Sequence, residues 1–109
     1  MKQELIWLIQ CIPYGMVASY GELAKQLDIR YGIHTSWWIV GRVLSSMPEN
    51  EWKTWSFFPW WRVINKQGFI STLKLGEKWI EQIKLLQNEG IVVTDAIVDM
   101  RVYEYNFYT

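Results

Sequence analysis

The residues best suited to covalent or metal chemistry are scarce in this chain. Its 109 residues include one cysteine, Cys11, and one histidine, His34. One cysteine cannot close an internal disulfide, and one cysteine with one histidine cannot build a zinc site of the usual two-plus-two kind. Disulfide and metal scaffolds are therefore excluded, and no cofactor is expected. Tryptophan is abundant instead, with eight residues in a chain that is 17% aromatic. An indole is neither an effective nucleophile nor a proton acceptor, but it offers a large apolar face to a nucleic-acid base or to a protein partner.

Charge bears on that choice. Eleven basic and eleven acidic side chains cancel, which argues against strong whole-molecule attraction to nucleic acid. Their distribution is uneven: residues 20–74 hold seven basic side chains against four acidic ones, and residues 75–109 hold three against six. A dipolar chain can still present a mildly basic face. Plain solvated surface charge accounts for the same numbers.

Half of the residues are hydrophobic, which suits one domain, 1–109, with a packed core. The longest apolar runs, such as Trp37 to Val40, fall far short of the roughly 20 residues a spanning helix needs, and no basic-then-apolar leader opens the chain. The expectation is a soluble, intracellular protein without membrane contact.

Several elements would position these aromatics. Leu5, Leu8, Ile9 and Ile12 fall at helical spacing, and Pro13 with Gly15 ends that helix. Ser19-Tyr20-Gly21-Glu22 reads as a capping box opening a second helix that ends near Asp28. After a connection over 29–35, Thr35 or Ser36 can cap a third helix running to Met47 and closed by Pro48. A helical wheel puts Val40, Val43, Leu44 and Met47 on one face, with Trp38, Gly41, Arg42 and Ser45 opposite. Helix, turn and a second helix with a polar-aromatic outer face form the helix-turn-helix pattern, which also joins short helices in cores that never touch DNA. Residues 49–58 form an aromatic loop, Val63-Ile64 a short strand and Asn65 to Gly68 a turn. A helix follows from about Gly76 to Glu89, with Gly90 as its C′ residue. Segments 91–93 and 97–103 read as extended.

The order Ile12-Pro13-Tyr14-Gly15, Ser19-Tyr20-Gly21-Glu22-Leu23-Ala24, Val40-Gly41, Pro59-Trp60-Trp61-Arg62-Val63-Ile64 and Glu89-Gly90 resembles the active-site domain of 6-O-alkylguanine-DNA alkyltransferases. The resemblance implies a mainly α fold with short β segments, a winged-helix-like helix-turn-helix domain of the alkyltransferase C-terminal type. Such enzymes rotate a damaged guanine out of the duplex and transfer its alkyl group to the cysteine of a Pro-Cys-His-Arg motif. Here that motif reads Pro59-Trp60-Trp61-Arg62, which removes both thiol and base, and Cys11 lies outside it. The chain looks like the alkyltransferase-like subgroup, which carries tryptophan at the acceptor position, binds 6-O-alkylguanine without repairing it and presents it to nucleotide excision repair.

That resemblance implies a set of roles. Trp60 would floor the alkylguanine pocket with Trp61 and Val63, although a core tryptophan is the alternative. Arg62 would hold the motif by hydrogen bonds, and the subgroup's basic pocket residue falls on Leu73 or Lys74, with Lys74 favoured. Glu89 matches the family's relay glutamate; lacking a histidine to assist, it is expected to accept hydrogen bonds from an indole or the backbone. Tyr20 would help turn the target phosphate, and Ser36 would offer phosphate a helix N-terminus. The family's finger arginine falls on Trp38, which could wedge apart a base step as apolar side chains do in minor-groove binders. Arg42, one turn later, would supply a cation. The connections at 29–35 and 49–58 look longer than usual, and the second brings Trp52, Trp55, Phe57 and Phe58 near the motif.

Two functions follow. The first is a monomeric, non-enzymatic binder of double-stranded DNA carrying 6-O-alkylguanine that works with nucleotide excision repair proteins. Such a protein would be cytoplasmic and nucleoid-associated in a bacterium or nuclear in a eukaryote. The second is a diverged interaction module that keeps the fold without lesion binding and uses the aromatic loop as its contact surface.

Overall fold

Apolar spacing builds the first element. Leu5, Ile6, Leu8 and Ile9 line one face of α1 (Lys2–Gln10) and are all but inaccessible to solvent. The structure is a computed structural model that describes residues 1–46, 58–70 and 78–107. Past Pro13 and Gly15 the chain forms β1 (Ala18–Ser19) and enters α2 (Tyr20–Tyr31). Ser19 caps that helix, its Oγ accepting from the Glu22 N–H at 3.1 Å. Glu22 Oε1 accepts from Gln26 Nε2 at 3.0 Å, one turn further on.

The second helix is longer than its sequence pattern suggests. It continues past Asp28 to Tyr31 and stops at Gly32, which takes a left-handed φ of 66°. The N–H groups of Gly32 and Ile33 donate to the carbonyls of Asp28 and Leu27 at 2.9 and 3.1 Å. Glycine adopts this backbone at little cost, so termination waits for it. Ser36, rather than Thr35, directly precedes α3 (Trp37–Ser46), and its carbonyl accepts from Ile39 and Val40 at 3.1 Å each. Val40 is buried and Val43 and Leu44 are half-buried against the core, while Trp38, Arg42 and Ser45 are exposed. Gly41 departs from the outward set: a Cβ there would lie 3.8 Å from the Tyr20 ring. The expected stop at Met47-Pro48 lies outside the described residues.

Trp60–Arg62 form one 3-10 turn leading into β2 (Val63–Ile64), which pairs in parallel with β1 so that Ala18 faces Val63 and Ser19 faces Ile64. This register sets the residues that follow β2, Asn65 to Gln67, at the start of α2, and the Trp60–Arg62 turn at the other end of the strand pair. The Asn65–Gly68 turn closes as expected, with Gly68 N–H donating to the Asn65 carbonyl at 2.9 Å. Helix α4 (Lys78–Asn88) ends in a Schellman motif: Ile91 donates to the Leu86 carbonyl at 3.1 Å and Gly90, at φ 82°, to Gln87 at 3.0 Å. Its expected beginning at Gly76 lies outside the described residues.

The tail corrects the reading of two extended segments. Strands β3 (Val93–Thr94) and β4 (Ile97–Val98) form an antiparallel hairpin around Asp95 and Ala96, whose φ values are 52° and 60°. A single helical turn, α5 (Met100–Tyr103), follows because Asp99 caps it, its side chain accepting from Arg101 N–H at 3.0 Å. Among the described residues no helix is long and apolar enough to cross a membrane, and no group of three or more His, Cys, Asp or Glu could hold a metal.

Two buried clusters share the interior. One joins α1, α2 and α3 with Phe58, Val63 and Phe107; the other joins Val17, Ile64 and Ile70 with α4 and the tail. The motif straddles them, with Trp60 packed on the first and Trp61 on the second.

Candidate nucleic-acid interface

The 3-10 turn fixes the directions of Trp60, Trp61 and Arg62, and a buried ion pair fixes the turn. The Arg62 and Glu89 side chains are only 4% and 5% exposed. Arg62 Nε lies 3.0 Å from both Glu89 oxygens, its Nη2 lies 3.0 Å from Oε2, and its Nη1 donates to the Ile12 carbonyl at 2.8 Å. Glu89 also accepts from the Trp61 indole N–H and, at 2.7 Å, from the Gly15 backbone N–H. Burial pushes the Glu89 carboxyl up, but Arg62, Gly15 and Trp61 together outweigh it and hold the carboxyl below the ordinary carboxylate range. As expected for a glutamate without a histidine, Glu89 therefore serves an indole and the backbone. The Tyr14 hydroxyl donates to the Asn88 carbonyl at 2.9 Å, and its ring lies 5.8 Å from the Arg62 guanidinium.

Gln82 contributes a support with no warning in the sequence pattern. It is 1% exposed, and its Nε2 donates to the carbonyls of Trp61 and Val63 at 3.0 and 2.9 Å. Only its place on the inward face of α4 could have flagged it. Above this base Trp60 and Trp61 meet edge to face, with centroids 6.1 Å apart and planes at 87°. Both are half-buried, whereas Val63 is 1% exposed in the core. Leu73 and Lys74 lie outside the described residues, as do Trp52, Trp55 and Phe57; Phe58 is buried in the first cluster.

The second group of expected residues lies at the α2–α3 junction, the most extensive helix contact among the described elements. Ser36 is half-buried before α3, and Trp38 (52% exposed) and Arg42 follow on its outer face. Tyr20 is half-buried and lines a cavity of about 210 Å³ with Gly21, Trp37, Asn65, Lys66 and Gln67. Trp37, 61% exposed, was not among the expected site residues. Its i, i+4 relation to Gly41 was the available signal, because the glycine leaves room for the Tyr20 ring on that side of α3. Cys11 is exposed at the end of α1, outside both groups.

Known proteins resemble this chain in sequence and in fold. The family described as 6-O-methylguanine DNA methyltransferase, DNA binding domain, matches residues 1–91. A Vibrio parahaemolyticus protein named DNA base-flipping protein is 38% identical over 104 residues, spanning 94% of this chain and 92% of that one. Alkyltransferase-like protein 1 of Schizosaccharomyces pombe is 32% identical over 83 residues, spanning 75% of this chain and 68% of that one. The crystal structure of S. pombe Atl1 in complex with damaged DNA containing O6-carboxymethylguanine superposes with a TM-score of 0.79 at 24% identity, covering 96% of this chain and 94% of that chain. The last likeness establishes the fold: helices with short strands around a helix-turn-helix. The family match and both relatives show that the chain belongs to the alkyltransferase-like proteins, within the family of the 6-O-methylguanine DNA methyltransferase DNA-binding domain.

Proposed function

We infer that this protein binds duplex DNA carrying 6-O-alkylguanine, turns the lesion out of the helix and holds it without accepting the alkyl group. One observation supports the reading: the parallel pairing of β1 with β2 ties the Trp60–Arg62 turn, through Val63 and Ile64, to the strand that leads into Tyr20 and α2. Extruding a base costs a few kcal/mol, least for a damaged base that pairs poorly. Trp38 serves as the wedge in the emptied stack, Arg42 and the α3 N-terminus at Ser36 take phosphates, and Tyr20 turns the target phosphate. Trp60, with Trp61, receives the base, Val63 backs them from the core, Lys74 or Leu73 completes the pocket, and Arg62 holds the motif from beneath. The name of the Vibrio parahaemolyticus relative supports base flipping as the mode of binding.

The motif holds no thiol and no imidazole, so it has no acceptor for the alkyl group. The bound lesion is therefore handed on, and nucleotide excision repair proteins are the proposed recipients from a monomeric complex. The test is to incubate the protein with a duplex containing 6-O-methylguanine and analyse both components. A retarded complex, an intact lesion and unchanged protein mass are expected. A methyl group on Cys11, or no complex, would overturn the reading.

A further inference from the structure

The cavity of about 210 Å³ at the α2–α3 junction has neither Trp60 nor Trp61 among its lining residues. It is a separate place from the pocket assigned to the lesion. We propose that it is a second nucleotide subsite, taking a nucleotide that neighbours the extruded one, with the base on the Trp37 indole and the phosphate at Lys66. The proposal rests on the lesion-binding reading and adds a site to it.

Three observations carry it. The first is the lining itself, in which two aromatic residues, Tyr20 and Trp37, stand with an exposed lysine and the polar side chains of Asn65 and Gln67. Aromatic faces bind any base, while a lysine supplies the point charge for phosphate. The second is the placement of Trp37 over the first turn of α2: a Cβ on Gly21 would lie 4.0 Å from the Trp37 Cβ. That end of the 12-residue helix α2 carries partial positive charge, which favours phosphate next to Lys66. The third is division of labour along α3. Trp37 and Trp38 are consecutive and both exposed, but a helix turns 100° per residue. Trp38 points with Arg42 along the outer face, and Trp37 closes the cavity. Its volume is below the range of drug-sized ligand sites and suits one ring system.

The test is a titration of wild type and Trp37→Leu with a duplex containing 6-O-methylguanine, in which the 5′ or the 3′ neighbour is either intact or abasic. Wild type should bind about tenfold more weakly when one of the two neighbours is abasic. Trp37→Leu should be about tenfold weaker on the intact duplex and indifferent to that replacement, and Trp37→Phe should behave as wild type. A Trp37→Leu protein that binds normally, or that responds to abasic neighbours as wild type does, overturns the proposal. The same two proteins titrated with a single-stranded oligonucleotide separate the two readings. A Trp37→Leu loss there without lesion preference on duplex sinks only lesion binding. Lesion preference without any Trp37→Leu loss sinks only the subsite.

Discussion

Trp61 donates its indole N–H to Glu89, across 28 positions of sequence, while Arg62 beside it clamps both oxygens of the same carboxylate at 3.0 Å. The position where the resemblance places a histidine base is thus a neutral hydrogen-bond donor. Its partner joins the motif turn, the loop after α1 and the end of α4 in one buried node. The node is a mechanical support for two indoles that meet edge to face.

Glu89→Ala should therefore act on stability before it acts on binding. It strands a guanidinium that is 4% exposed, and breaking a buried pair by removing one partner costs about 3–5 kcal/mol. Urea unfolding followed by tryptophan fluorescence should show that loss as a lower midpoint with an unchanged slope.

The same carboxylate makes stability pH-dependent in acid. Its folded pKa lies below the unfolded value of about 4.3, so the folded state binds fewer protons in that range. The contribution is complete above the unfolded pKa and is lost as pH falls through the folded one. The difference in unfolding midpoint between wild type and Glu89→Gln should hold from roughly pH 7 to pH 5 and shrink towards pH 3. A difference that grows in acid would contradict the assignment.

Gly68 should tolerate no side chain. Its φ is 89°, and an added Cβ would lie 2.1 Å from the Val98 carbonyl oxygen, against a backbone held in place because the Val98 N–H donates to the Gly68 carbonyl at 2.9 Å. Gly68→Ala should destabilise by at least about 1–3 kcal/mol, read as a fall in the urea midpoint.

Trp38→Arg should add a positive charge at the wedge position on the outer face of α3, within the field of the phosphates. Binding to duplex DNA should tighten at low salt, and the slope of log K against log salt should steepen by roughly 0.9. An unchanged slope would mean that this face is turned from the DNA.

Much of this was legible in the residue order. Ser19 at a cap, Gly90 at a C′ position and the alternation of Val40, Val43 and Leu44 each follow from local rules, and the structure keeps all three. The end of α2 was misplaced because Ile29, Arg30 and Tyr31 are acceptable helix residues and only Gly32 breaks the run. The final turn was missed because apolar alternation through Val98, Met100 and Val102 imitates a strand, while Asp99 acts as a cap. Trp37 and Gln82 were illegible for another reason. Their roles depend on partners far away in sequence, the Asn65–Gln67 turn and the Trp61 and Val63 carbonyls, so the spacing of Trp37 to Gly41 and the inward place of Gln82 could flag the residues but not name what they meet.

Lesion recognition is the central claim, and a paired titration tests it most directly. Intrinsic tryptophan fluorescence is followed as the protein is titrated, at one moderate salt concentration, with two duplexes that differ only in one 6-O-methylguanine in place of guanine. The account predicts tighter binding and stronger quenching with the damaged duplex, both diminished by Tyr20→Ala. Equal affinity for the two duplexes would contradict it.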